Sequence, residues 1–148
     1  MIMAIDNKKL VLQHLDLSWN KGEFDKIKDF LSDQFFYKTT FTDEILNGKQ
    51  YIEFINEFRD AMQDLSVNVE LIMSEDNHVM TQISFFGTVG KMIYGIPPGD
   101  KLIAFNAISI WETGFDKIIS LDTLIDITGL ERQIGINLSP FEPLQSRI

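Results

Sequence analysis

No cysteine occurs anywhere in the chain of 148 residues, which excludes Cys₄ zinc sites, thiol redox chemistry and cysteine nucleophiles. Histidine is nearly absent as well. His14 and His78 are the only two, and no H-x-x-x-H spacing sets two ligands on one helical face, so a histidine-based metal site is not expected. Positive charge is in deficit: 13 Lys and Arg stand against 22 Asp and Glu, a net charge of -9, and a polyanion is repelled by such a surface. No nucleic-acid partner is expected. Apolar runs never approach the roughly 18 uninterrupted residues of a membrane helix, and residues 1–7 lack a basic stretch followed by an apolar run. The expectation is a soluble, cytoplasmic protein with no membrane partner. The phosphate-cradling patterns G-x-x-x-x-G-K-[ST] and G-x-G-x-x-G are missing, as is the G-x-S-x-G nucleophile elbow. Glu75-Asp76 is too short an acidic run to hold calcium alone. No repeat, low-complexity tract or Gly/Pro/Ser linker interrupts the chain, so residues 1–148 read as a single domain.

What the chain has in quantity is apolar surface: 45% of residues are hydrophobic, among them 12 Phe, 6 Met and 2 Trp, enough to bury a core unaided by staples. Leu10, Val11, Leu15, Leu17 and Trp19 recur at mostly helical intervals, predicting a helix over residues 7–19 that stops at Asn20-Lys21-Gly22. A short second helix follows from Glu23 to about Leu31, with Phe24, Ile27, Phe30 and Leu31 as its buried stripe. Residues 34–41, dense in aromatics and threonine, suit a largely buried strand. After Asn47-Gly48 a third helix runs over 48–63 on Tyr51, Ile52, Ile55, Phe58 and Met62. The period then changes to two. Residues 67–73 and 79–88 form an antiparallel hairpin about Glu75-Asp76-Asn77. Gly95-Ile96-Pro97-Pro98-Gly99-Asp100 is a rigid reversal. Strands follow over 101–112 and 117–127, turned by Thr113-Gly114-Phe115-Asp116, and a helical piece over 130–136 precedes a tail broken by Pro140 and Pro143. Three helices with one early strand among them, then a four-stranded meander, make an α+β domain.

Several strings in that order resemble the NTF2-like superfamily and, within it, the SnoaL-like polyketide cyclase group. They are Gly87-Thr88, Gly95-Ile96-Pro97-Pro98, Phe105, the aspartate-bearing strand, and Leu130-Glu131-Arg132-Gln133-Ile134-Gly135, with Trp19-Asn20-Lys21-Gly22-Glu23-Phe24-Asp25 similar to the group's W-N-x-G-D-x-D. Together they cover most of residues 10–136. The resemblance implies a strongly curved, mainly antiparallel sheet wrapped around N-terminal helices as a cone, an apolar pocket at its open end, and a homodimer built on the outer sheet face. It implies acid–base work on an enolisable carbon with no metal and no organic cofactor, as in a polyketide cyclase or a ketosteroid isomerase-like enzyme.

By that resemblance the general acid and base is an aspartate projecting into the cone. Asp126 falls at the pattern's last strand aspartate; Asp122 takes its tryptophan position, and Thr123 stands where an aspartate often follows. If the strand is regular, residues 118, 120, 122, 124 and 126 share one face, so both aspartates point the same way about 13 Å apart, too far for a close dyad. If that face lines the cone, one of them sits deep, where desolvation raises its pKa towards proton transfer. The other reading of Asp126 is as the start or cap of the terminal helix near Thr128. Relatives often carry His after the G-T and in the early strand; this chain has Val89 and Lys38 there. Lys38 is either solvated or a cation for an anionic substrate.

Trp19, Tyr37, Phe41, Phe85, Phe86 and Phe105 are either pocket walls for a flat, hydrophobic small molecule or plain core. Asn106, a single amide among Leu102, Ala104, Ile108 and Ile110, is either a substrate hydrogen bonder or bonded across strands. His14 shares a stripe with Leu10 and Leu17, as a core or boundary histidine; His78 belongs to an exposed turn. Two functions follow. One is a cyclase- or isomerase-type enzyme in which Asp126 or Asp122 moves a proton on a hydrophobic carbonyl compound. The alternative is a non-catalytic ligand-binding or dimerisation module that keeps the cone.

Overall fold

The computed structural model describes residues 6–138; the proline-broken tail expected from the sequence lies outside them. Helix α1 (Asn7–Leu15) starts on Asp6, whose carboxylate accepts from the Lys8 amide, and continues into one widened π-helical turn, Asp16–Asn20. Gly22, at φ 66°, ends this segment. The short α2 (Phe24–Ile27) runs into a 3₁₀ turn, Lys28–Phe30. Strands β1 (Leu31–Thr39) and β2 (Thr42–Asn47) then form a hairpin. α3 (Gly48–Ala61) is fixed at its start by a reciprocal Asn47–Gln50 capping box and buries Tyr51, Phe54, Ile55, Phe58 and Ala61 on one stripe. β3 (Ser66–Glu75), β4 (His78–Thr88), β5 (Leu102–Gly114), β6 (Lys117–Ile125) and α4 (Ile127–Ile134) complete the described order. No described helix is long and apolar enough to cross a membrane.

The early part of the chain holds two strands where the sequence suggests one. β2 escapes a hydropathy reading because it is an edge strand: of its six residues only Leu46 is buried, and Asp43 and Glu44 face water. The terminal helix also begins earlier than its periodicity suggests, because the Asp126 side chain accepts from the Gly129 amide and caps it.

The six strands form one sheet in the order β2-β1-β6-β5-β4-β3, antiparallel except for the β1–β6 pair. Register shifts interrupt every ladder but β4–β5, and each bulge bends its strand and adds twist. β1 and β4 are three strand spacings apart, about 14 Å in a flat sheet, yet Tyr37 of β1 and Phe85 of β4 border the same small cavity. The sheet is therefore a cone closed over α1, the π-turn and α3.

The bulge between β5 and β6 decides which residues of β6 look inward. Thr113 pairs with Ile118 and Glu112 with Ser120, leaving Ile119 as the extra residue. Past it, Leu121 and Thr123 are buried inside, and Ser120, Asp122 and Leu124 turn outward. The single face expected for residues 118 to 126 does not exist: Ile118 is inside and Asp122 outside, because one inserted residue inverts the alternation.

Candidate functional site

The inner end of the cone is a cage of aromatic rings, each held by its own local device. Trp19 sits on the π-turn, where Arg59 donates to its carbonyl oxygen at 2.6 Å. Next to it, the Asn20 amide both donates to the Val67 carbonyl (3.1 Å) and accepts from the Val67 amide (2.8 Å). That pair of bonds locks the turn against β3. Phe54 and Phe58, one helical turn apart on α3, meet Trp19 at ring separations of 6.2 and 6.0 Å. Phe85 and Phe105 are directly opposed across β4 and β5, their rings stacked at 4.8 Å and 7°. Phe41, at the tip of the β1–β2 hairpin, is placed by Thr40, whose hydroxyl accepts from the Ile125 amide at 2.9 Å.

Together Trp19, Tyr37, Phe41, Phe54, Phe58, Phe85, Phe105 and Ile125 enclose a cavity of about 10 Å³, space for roughly one water molecule. Tyr94 closes the cage from outside. It lies between Phe41, Phe54 and Phe58 at 5.7, 5.4 and 5.7 Å and is nearly parallel to the last. Tyr94 is carried on a two-residue reversal, Ile93-Tyr94-Gly95-Ile96, closed by paired backbone bonds between Ile93 and Ile96. Both central residues have positive φ, 45° at Tyr94 and 83° at Gly95, a backbone that suits glycine and strains tyrosine.

The polar groups inside the cone are hydroxyls, amides and one imidazole. Ser109 and Thr123 share a hydrogen bond at 2.8 Å, and the Trp111 indole donates to Thr81 at 2.9 Å. His14, fully buried, meets the Tyr51 hydroxyl through Nε2 at 2.8 Å, and burial pulls its pKa down to about 3. Burial pushes the Tyr37 hydroxyl up to about 12, against the opposing pull of the Thr39 and Thr123 hydroxyls, and raises Tyr51 well above the usual range. These three groups are all uncharged at neutral pH.

The structure brings together five of the six expected substrate-binding residues, Trp19, Tyr37, Phe41, Phe85 and Phe105, and leaves out Asn106. The Asn106 side chain is exposed on the outer sheet face, where its Oδ1 accepts from the Ser84 hydroxyl at 2.9 Å. Phe86 also lies outside the cage, opposite Ala104 in the ladder. The expectation that one aspartate sits deep in the cone is corrected. Asp122 and Asp126 are both exposed, the first because the Ile119 bulge turns it outward, the second because it caps α4. Lys38 is exposed beside Asp122 in the ladder, its Nζ 5.9 Å from the Phe36 ring centre. Val89, at the position of a family histidine, is buried and apolar. No group of three or more metal-ligating side chains occurs among the described residues.

Phe54, Phe58, Tyr94 and Ile125 are the cage members that sequence reasoning did not place there. Phe54 had a signal, standing three residues after Tyr51 and four before Phe58 on the stripe of α3. Tyr94 had none, because its position depends on a loop reversal.

A family model described as SnoaL-like polyketide cyclase matches residues 9–134. Among solved structures, the chain is similar to a putative SnoaL-like polyketide cyclase from Jannaschia sp. CCS1, with 20% identity, a TM-score of 0.77, and 91% of this chain and 93% of that one covered. It is similar to IdmH, a putative polyketide cyclase from Streptomyces antibioticus, at 14% identity and a TM-score of 0.77, covering 89% and 100%. It is also similar to AclR, a putative hydroxylase from Streptomyces galilaeus, at 19% identity and a TM-score of 0.75, covering 87% and 95%. No curated protein matches the chain.

Proposed function

The chain belongs to the SnoaL-like polyketide cyclase family, and from that premise we propose that its cone binds a small hydrophobic molecule in the aromatic cage without proton transfer by Asp122 or Asp126. The observation that carries this reading is the chemistry of the interior. Every titratable group described inside it is neutral at pH 7, while both candidate carboxylates are outside. A general acid or base must lie within hydrogen-bond reach of the proton it moves. The walls offer what apolar binding needs instead, seven aromatic rings with almost no polar surface.

At about 10 Å³ the cage is too small for a guest as it stands, so a guest enters by moving a wall. Tyr94 is the wall that yields: its backbone is strained, it is 36% exposed, and its ring leaves the cage mouth if the reversal swings outward. The test is a thermal-shift and tryptophan-fluorescence screen of neutral hydrophobic compounds, against the whole protein and Tyr94→Gly. Binders raise Tm, and more so in the variant. Absence of binding in both overturns the reading. If a bound compound is turned over and Asp126→Asn or Asp122→Asn abolishes that turnover at unchanged affinity, the non-catalytic part is wrong and the cyclase-type alternative stands.

The same proposal includes a homodimer on the outer sheet face. Leu71, Met73, Ile108, Ile110 and Leu124 are exposed there in adjacent rows of the ladder. An apolar face of this kind, interrupted only by Gln82 and bordered by Asp122, favours a partner with a matching surface, which a second copy supplies.

A further inference from the structure

Resting on the reading that the cage admits a guest past Tyr94, we infer that the guest it is built for is a methylated ammonium cation. Aromatic faces carry negative quadrupole charge, and a cation within about 6 Å of a ring centre is attracted to it. Phe41, Phe54 and Phe58 surround the Tyr94 ring at 5.4 to 5.7 Å. A guest that takes the place of Tyr94 therefore has three ring centres within the distance a cation requires, with the Phe58 ring nearly parallel to the ring it replaces. Carboxylates stand at the same mouth. Glu57 is next to Phe58 on α3, and Glu44 lies on β2 just past the hairpin tip that carries Phe41; their charges add to partial burial in raising the pKa of the Tyr94 hydroxyl. Both side chains are exposed, and neither belongs to an ion pair among the described residues.

Lys49 stands at the opposite end of α3 from Glu57, and three other cations are engaged elsewhere. Arg59 donates to the Trp19 carbonyl, Lys91 pairs with Asp60 at 2.8 Å, and Lys38 lies over Phe36 on the outer face. A rim bearing two carboxylates, on a chain of net charge -9, attracts cations and repels anions. Methylation matters because a bare ammonium holds its water, and stripping that water in an apolar cage costs more than the rings return. A trimethylated nitrogen presents methyl groups to the rings and keeps its charge.

The experiment compares choline with 3,3-dimethylbutan-1-ol, the same shape with carbon in place of the charged nitrogen. Each is titrated into the intact protein at low salt by calorimetry, with Trp19 fluorescence reporting on the cage. Choline is expected to bind about tenfold more tightly than the alcohol. The advantage should shrink to about threefold or less in the Glu44→Gln/Glu57→Gln double variant, whose exposed positions leave folding intact, and should fall as salt rises. Equal binding of the two, or tighter binding of the alcohol, overturns the cation assignment while the hydrophobic-guest reading stands. Failure of both compounds with the intact protein and with Tyr94→Gly overturns the inference, and if the neutral screen fails too, the reading beneath it.

Discussion

The two faces of the one sheet invert the usual rule for locating a pocket. Along β5 the inward residues are Ile103, Phe105, Ala107, Ser109, Trp111 and Thr113, and the outward ones include Leu102, Asn106, Ile108 and Ile110. Hydroxyls are therefore buried on this strand and on its neighbours, at Thr81, Ser109, Thr113 and Thr123, while Leu102 and Leu124 are each 66% exposed. The inner hydroxyls are affordable because they satisfy one another: Ser109 with Thr123, Thr81 with Trp111, and Thr113 with the Asn77 carbonyl. The outer aliphatics are left uncovered by the described residues. On β5 hydropathy alone does not separate the faces, because each carries four apolar residues, and hydrogen-bond pairing does.

Adjacent residues on opposite faces give the largest test of this contrast. Trp111 is fully buried and Ile110 is 44% exposed. Trp111→Ala should cost about 3–5 kcal/mol through the cavity it leaves and the orphaned Thr81 hydroxyl, whereas Ile110→Ala in dilute protein should stay within about 1 kcal/mol. Urea denaturation of both variants decides it. Comparable losses at the two positions would mean that the faces do not differ as described.

His14 sharpens the inner half of the comparison. Its folded pKa of about 3 lies below the ordinary 6.5 because burial penalises the imidazolium, so between those values the unfolded chain binds more protons than the folded one. Stability from this group is therefore complete above about pH 6.5 and is lost as pH falls towards 3, at no more than about 1.4 kcal/mol per pH unit. By pH 5 the loss reaches on the order of 2 kcal/mol. The variant His14→Gln cannot titrate, so its stability profile over pH 7.5 to 5 should be flatter than that of the native chain by about this amount. Parallel profiles would place a water path to His14.

On the outer face the expected change is one of association. Ile108 and Leu124 are paired across β5 and β6, with Leu71 two strands from Ile108 in the same row. Ile108→Lys should weaken self-association by about tenfold or more in sedimentation equilibrium, roughly 1.4 kcal/mol, while leaving the thermal unfolding of dilute protein nearly unchanged. Association that survives this substitution, or a native chain that does not self-associate, would overturn the proposed dimer on this face.

How far the fold and cage were legible in the sequence follows from the range of the interactions involved. α3 was readable because its stripe and its Asn47–Gln50 box are local, and the β3–β4 hairpin because both strands alternate and meet at a short turn. Five cage aromatics were readable as candidates by residue type. The inward direction of β6 was not, since it depends on one inserted residue, Ile119, whose effect exists only through pairing with β5. Of the two readings of Asn106, the cross-strand bond is the one present, to Ser84; its alternation with aliphatics could not decide between them, because nothing local says which side of the cone those aliphatics occupy. Tyr94 reaches the cage only through the Ile93–Ile96 reversal and its long-range seat on α3.

The smallest effect separates the two aspartates on which a catalytic reading would depend. Asp126 has a structural task, accepting from the Gly129 amide at 3.0 Å and starting α4, while its own amide donates to the Asn106 carbonyl at 2.8 Å. Removing the carboxylate by Asp126→Ala should therefore cost about 1 kcal/mol, the worth of a helix cap, and Asp126→Asn should restore most of it because an amide oxygen caps nearly as well. Among the described residues the Asp122 carboxylate makes no such bond, and it stands exposed beside Lys38 and Ile110, so Asp122→Asn should lie within about 0.5 kcal/mol of the native chain. The informative outcome is the pair. A cap loses stability to Ala and regains it with Asn, whereas a proton-transfer group loses turnover to both and regains nothing. Stability and ligand turnover measured on these three variants thus assign Asp126 to the frame of the cone or to its chemistry, with Asp122 as the exposed control on the same strand.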